Sequence, residues 1–165
     1  MNYKSLLWAL PLLFLFFLSA CDKDDDNSGN SGGGGGTSSS STLSFTGQLA
    51  CADSAYVQDG VKVILYSKKS NGFLAVHLYN MRFSSNMNYV GDLMIDSVKY
   101  AVSPSGVMTL NGNDLIASIN SVIQPALRVS RLLGNVTGST FTLSMTSGAY
   151  AVSYKGTLLQ GSVSQ

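Results

Sequence analysis

From Leu43 onward the chain does not run much beyond a dozen residues without a turn signal, and this spacing restricts the fold more than any other feature. The signals are Asp59-Gly60, Asn71-Gly72, Ser84-Ser85-Asn86, Ser103-Pro104-Ser105-Gly106, Asn111-Gly112-Asn113, Pro125, Thr137-Gly138-Ser139 and Ser147-Gly148. Between them lie short apolar or alternating runs that read as strands: Leu43 to Leu49, Val61 to Ser67, Phe73 to Phe83, Val90 to Val102, Val107 to Leu110, Arg128 to Asn135, Thr140 to Thr146 and Ala149 to Thr157. Phe73 to Phe83 is largely apolar on both parities, which places it centrally. Asp114 to Gln124 reads differently. Leu115, Ile116, Ile119, Val122 and Ile123 fit helical spacing, Asp114 can cap the start and Pro125 closes it, so one short helix is expected there. The chain contains no glutamate and is rich in Ser, Thr, Val, Tyr and Gly, a composition that favours strands over helices. The fold class is therefore all-β. A small antiparallel up-and-down barrel removes the exposed edges of such a meander, with a two-sheet sandwich as the alternative.

The barrel does not start at residue 1. Lys4, the apolar run Leu6 to Phe17 and Leu18-Ser19-Ala20 follow the order of a secretory signal, and the run is too short to cross a bilayer. Cys21 directly after Leu-Ser-Ala resembles the bacterial lipobox, which implies a signal peptide over residues 1–20 and acylation of Cys21, with palmitate as a natural label. Residues 21–41 read as a disordered tether. Asp22-Lys23-Asp24-Asp25-Asp26 resembles the surface-export signal of Bacteroidota lipoproteins, and a Gly/Ser-rich stretch with five consecutive glycines, Gly32 to Gly36, follows. A coil from Asp22 to Ser41 spans roughly 25 Å on average. The expected location is the outer membrane, lipid-anchored and facing the cell surface, with a periplasm-facing anchor as the alternative. Residues 42–165 remain as one domain, long enough to bury a core.

Several chemistries are excluded or weakened by counting. The domain has eight basic and five acidic side chains, scattered, which is no nucleic-acid footprint. With Cys21 acylated, Cys51 has no disulfide partner, and one Cys with one His cannot build a metal cluster; no cofactor is expected. His77 is the only histidine, no Gly-x-Ser-x-Gly elbow is present, and five scattered aspartates make a poor carboxylate pair. No catalytic residue is assigned, and the chain reads as not an enzyme. The aromatic strands suggest a binding surface instead. His77, Tyr79 and Met81 share one parity of the central strand and are the candidate ligand contacts, with Arg82 on the other parity expected to pair with an aspartate. Asp53-Ser54-Ala55 and Asp96-Ser97-Val98 resemble the Bacteroidota O-glycosylation pattern, which makes Ser54 and Ser97 candidate acceptors.

The strand-and-turn texture also resembles a known family. Val61 to Leu65, Leu78-Tyr79-Asn80-Met81-Arg82-Phe83, Val90-Gly91-Asp92, Gly134-Asn135-Val136-Thr137-Gly138, Thr140-Phe141-Thr142-Leu143 and Ala151-Val152-Ser153-Tyr154-Lys155-Gly156-Thr157 look like the calycin-like β-barrel domain of Bacteroidota lipoproteins. The resemblance implies a lipid-anchored up-and-down barrel distantly similar to lipocalins. Two roles are weighed for such a domain on the residues themselves. One is binding of a small apolar or glycan ligand, or accessory work in a surface complex with a protein partner not yet defined. The other is a structural or adhesive subunit that offers the edges of Leu43 to Leu49 and Ala149 to Thr157 to partner strands.

Overall fold

The computed structural model describes residues 41–67, 72–87 and 91–159, all within one compact unit, Ser38–Gln165. The signal-like segment, Cys21 and the tether up to residue 40 lie outside the described residues, as do residues 68–71 of the turn expected at 68–72 and residues 88–90, with Val90 of the strand expected from there. Ten strands follow in order: β1 (Thr42–Cys51), β2 (Tyr56–Ser67), β3 (Phe73–Met81), β4 (Gly91–Val102), β5 (Met108–Gly112), β6 (Ala117–Ile119), β7 (Val122–Ile123), β8 (Val129–Thr137), β9 (Thr140–Ser147) and β10 (Tyr150–Leu158). All pairings are antiparallel.

Eight of these strands close a ring, β1-β2-β3-β4-β5-β8-β9-β10, and β10 returns to β1. The order around the ring is the order along the chain, so this is an up-and-down barrel and not a sandwich. Leu43 to Leu49 and Ala149 to Thr157, expected to offer open edges, are instead paired to each other from Phe45↔Leu158 to Cys51↔Val152. Closure satisfies both edges within the chain. Every strand of the ring lies between Thr42 and Leu158, so that stretch carries the complete barrel.

The short helix expected over Asp114 to Gln124 is a β-hairpin. β6 pairs with β4 on one side and with β7 on the other, and Asn120 (φ 48°) and Ser121 (φ 68°) make the two-residue turn between them. Positive φ at both central positions matches the twist of tight hairpins, and asparagine tolerates it. Among the described residues there is no α-helix, only two single-turn 3-10 segments, Ala52–Ser54 and Pro125–Leu127.

The barrel interior is filled. Phe45, Leu49, Val63, Val76, Leu78, Leu93, Ile95, Leu132 and Phe141 have no exposed surface, and the Phe45 and Phe141 rings meet at 5.1 Å between centroids. Phe83 plugs one end, stacked on Tyr150 at 4.5 Å. Tyr154 lies inside as well, donating its hydroxyl to the Val61 carbonyl at 3.2 Å. Its ring lies over Gly156, where a Cβ would run into the phenol itself, while at the paired Gly47 a Cβ would run into the backbone of Lys155 and Gly156. Only glycine leaves room for that ring.

Four bulges shape the wall, and each carries a residue in the left-handed region: Gly60 (φ 70°), Asn80 (φ 50°), Ser97 (φ 62°) and Arg131 (φ 50°). They sit at register breaks in the β1–β2, β3–β4 and β8–β9 pairings. One extra residue in a strand swaps the inward and outward parity beyond it. Asp59-Gly60, which reads as a turn in the sequence, is such a bulge inside β2.

Candidate functional site

The bulge at Asn80 decides the candidate site. His77 and Tyr79 lie on the outer wall, half-buried, whereas Met81, past the bulge, turns inward and is 4% exposed within the core. The three residues expected on one face are therefore divided, and Met81 belongs to the packing of the interior. The bulge is held from both sides. Gln58 donates to the Asn80 carbonyl at 2.8 Å and accepts from the Arg82 amide at 3.1 Å, and the Asn80 amide donates to Asp92 Oδ1 at 2.8 Å. Arg82 forms no ion pair among the described residues.

Tyr66, which the sequence reading did not single out with this pair, completes the cluster from β2. Its hydroxyl lies 2.9 Å from that of Tyr79, and its ring lies 6.3 Å from His77. His77 and Tyr79 stack at 3.9 Å between centroids, and Lys62 Nζ stands 5.5 Å over the Tyr79 ring. The pairing Tyr66↔Ala75 and Ile64↔His77 puts Ala75 and Ile64 beneath these rings, and both are buried although they face outward. Cross-strand pairing of β2 with β3 was the signal that could have linked Tyr66 to His77 and Tyr79, but it needs the register.

The electrostatics of the cluster are mild. His77 Nε2 is 3.9 Å from Asp92 Oδ2, too far for a hydrogen bond. Burial lowers the imidazole pKa, with the Asp92 charge opposing it, so His77 is neutral at neutral pH. Burial, the hydrogen bond with Tyr66 and the nearby Tyr66 and Asp92 charges push the Tyr79 phenol up to about 12. Two phenols facing each other use one hydrogen between them, which leaves one O–H donor and several lone pairs for a third molecule. The imidazole adds a donor and an acceptor.

The other sequence candidates are spread out. Ser54 is exposed in the first 3-10 turn, and its hydroxyl donates to the Phe83 carbonyl at 2.7 Å, tying the plug to the wall. Ser97 is exposed at its bulge on β4. Cys51 is buried, and burial first, then Asp53, push its thiol up to about 11. Among the described residues no group of three metal-ligating side chains occurs. Two hollows open to solvent. One of about 400 Å³ is bordered by Arg131, Leu133 and Thr146, and one of about 380 Å³ by Asp96, Asp114, Ile116 and Ile123. No family model, curated protein or solved structure matches the chain.

Proposed function

We propose that this chain is a non-enzymatic, calycin-like barrel held at the bacterial outer surface by a lipid on Cys21, and that it binds a glycan on its outer wall at Tyr66, His77 and Tyr79. The cluster of these three side chains carries the reading. It combines aromatic carbon, suited to the C–H face of a sugar, with a phenol donor and two imidazole nitrogens that bond to nothing else among the described residues. A filled interior leaves no room for an apolar ligand inside, so a glycan outside is the better match to the two ligand classes weighed above. The lipid rests on Leu18-Ser19-Ala20-Cys21, and the surface location on the acidic run that follows.

The test is a titration of the chain from Asp22 onward against an array of bacterial, plant and animal oligosaccharides. Tyrosine fluorescence gives a direct readout, because the only tryptophan is Trp8, ahead of that start. At least one oligosaccharide is expected to bind saturably, with affinity falling about tenfold or more in Tyr79→Ala, a loss of about 1.4 kcal/mol. Binding that is unchanged by both Tyr79→Ala and His77→Ala removes the site. The anchor is tested separately, by incorporation of labelled palmitate into the full chain and its loss in Cys21→Ser.

A further inference from the structure

The bulge between β8 and β9 turns a cation outward. Ser130 pairs with Thr146 and Leu133 with Ser144, so Arg131 and Leu132 together stand opposite the single residue Met145. Met145 faces the core, 4% exposed, and Leu132 takes the inward place beside it with no exposed surface. The extra residue is Arg131, which the bulge aims at the outer wall between Ser130 and Leu133. Its backbone stands in the left-handed region, φ 50°, which a long side chain disfavours, and Asn113 Oδ1 holds it there by accepting from the Arg131 amide at 3.3 Å. The guanidinium donates from Nη2 to Thr146 Oγ1 at 3.3 Å and has no carboxylate partner among the described residues. Most of its N–H donors are left unused. Arg128, the neighbouring cation, is paired with Asp114.

Beside Arg131 the wall is hollowed. One register row across it reads Leu133, Ser144, Ser153, Ala50 and Val57, with exposed apolar side chains at its two ends and small ones between. The Leu133 end of this row, with Arg131, Thr146 and Ala151, borders the depression of about 400 Å³, a volume in the range of small-ligand sites. Ser144 and Ser153 are cross-strand partners on its floor, and their hydroxyls bond to no other described residue. Ala52 and Ala151 border the far side, where Asp53 Oδ2 accepts from the Ala151 amide at 2.6 Å and Oδ1 has no partner among the described residues.

We propose that this depression binds an acidic sugar, a hexuronate unit of a glycan, with its carboxylate on Arg131 and its hydroxyls on Ser144, Ser153 and Asp53. Three features select that chemistry. The planar guanidinium fork matches a carboxylate, whereas phosphate sites gather several cations or backbone amides. The serine hydroxyls both donate and accept, as sugar hydroxyls do. Asp53 only accepts, so it takes an O–H and repels a second anionic group. One carboxylate among several hydroxyls describes a hexuronate. β3 and β9 stand opposite each other in the eight-strand ring, so this site is separate from Tyr66, His77 and Tyr79 and does not rest on the reading given to them.

The test is a two-dimensional 1H–15N NMR titration of the chain from Asp22 onward with tetramers of glucuronate, galacturonate and mannuronate, to about 10 mM. At least one tetramer is expected to shift the Arg131 Nε–H and the Ser144 and Ser153 amides saturably, with a dissociation constant of about 0.1–1 mM. Its methyl ester, which lacks the charge, should bind about tenfold more weakly or worse. Arg131→Gly removes the guanidinium and suits φ 50°, so the bulge is kept, and unchanged amide signals away from β8 verify the fold. It should weaken binding about tenfold or more, while Arg128→Gln, which removes an equal charge, leaves the affinity unchanged. No saturable shift, affinity retained in Arg131→Gly, an equal loss in Arg128→Gln, or the same shifts with the ester or with inorganic phosphate overturns the assignment. Shifts confined to Tyr66, His77 and Tyr79 overturn it too, and support the opposite wall instead.

Discussion

At the scale of single residues, the unusual features are buried or half-buried phenols and the glycines that accommodate one of them. Tyr154 reaches across Gly156 to Val61, and burial pushes its pKa well above the ordinary phenol range. Tyr79 is pushed up to about 12. Both shifts favour the protonated form in the folded state, so their stabilising contribution is complete below the unfolded value near 10 and is lost as pH rises through the folded values. The urea midpoint is therefore expected to hold steady through neutral pH and to fall from about pH 9 upward, first as the Cys51 thiol and then as these phenols ionise in the unfolded chain. An absorbance titration of tyrosinate on the same samples should show a fraction of the phenols ionising only as the protein unfolds. Ionisation of all eight tyrosines near pH 10 in the folded protein would contradict this.

At the scale of elements, most strands were legible and the irregularities were not. Alternation and turn residues located β1, β8, β9 and β10 to within a few residues, because one face of each is buried and the other wetter, and β3 stood out as a continuous apolar run. The bulges escaped because three of the four place a non-glycine residue, Asn80, Ser97 or Arg131, in the left-handed region, and nothing in the local pattern announces it. Asn80 mattered most. It moved Met81 inside and left His77 and Tyr79 outside, so the candidate site was half legible, and Tyr66 entered only through the β2–β3 register. The β6–β7 hairpin imitated a helix because a two-residue turn between short apolar strands also sets apolar residues three and four apart. Its clue was Asn120-Ser121 between Ile119 and Val122. Asn120 also accepts from the Asp92 amide at 3.0 Å and donates its own amide to the Asp92 carbonyl at 3.0 Å. Replacing it by valine puts a branched side chain at φ 48° and removes the side-chain bond. Asn120→Val is expected to cost about 1–3 kcal/mol in urea unfolding. Asn120→Gly, which keeps the backbone geometry, should lose less.

At the scale of the whole molecule, the closed wall and the packed interior limit what the barrel can hold. Phe45, Phe141 and Tyr154 occupy the middle and Phe83 blocks one end, so no lumen is left for a lipid tail. A fluorescent polyene fatty acid is expected to show no saturable binding to the folded domain. Truncating Phe141 to alanine, where about 3–5 kcal/mol of stability is at stake, should open a void if the variant still folds. Saturable, stoichiometric uptake by the unaltered protein would mean that the interior opens.

The meeting of β1 with β10 has a further consequence for how the protein is made. The first strand to leave the ribosome has its partner in the last one, so most of the chain must emerge before the circle can be completed, and a product stopped short of Tyr150 would leave β1 and β9 as raw, pairing-competent borders. Nascent chains of this protein therefore need either speed or a holding chaperone until the final nine residues of wall are in place.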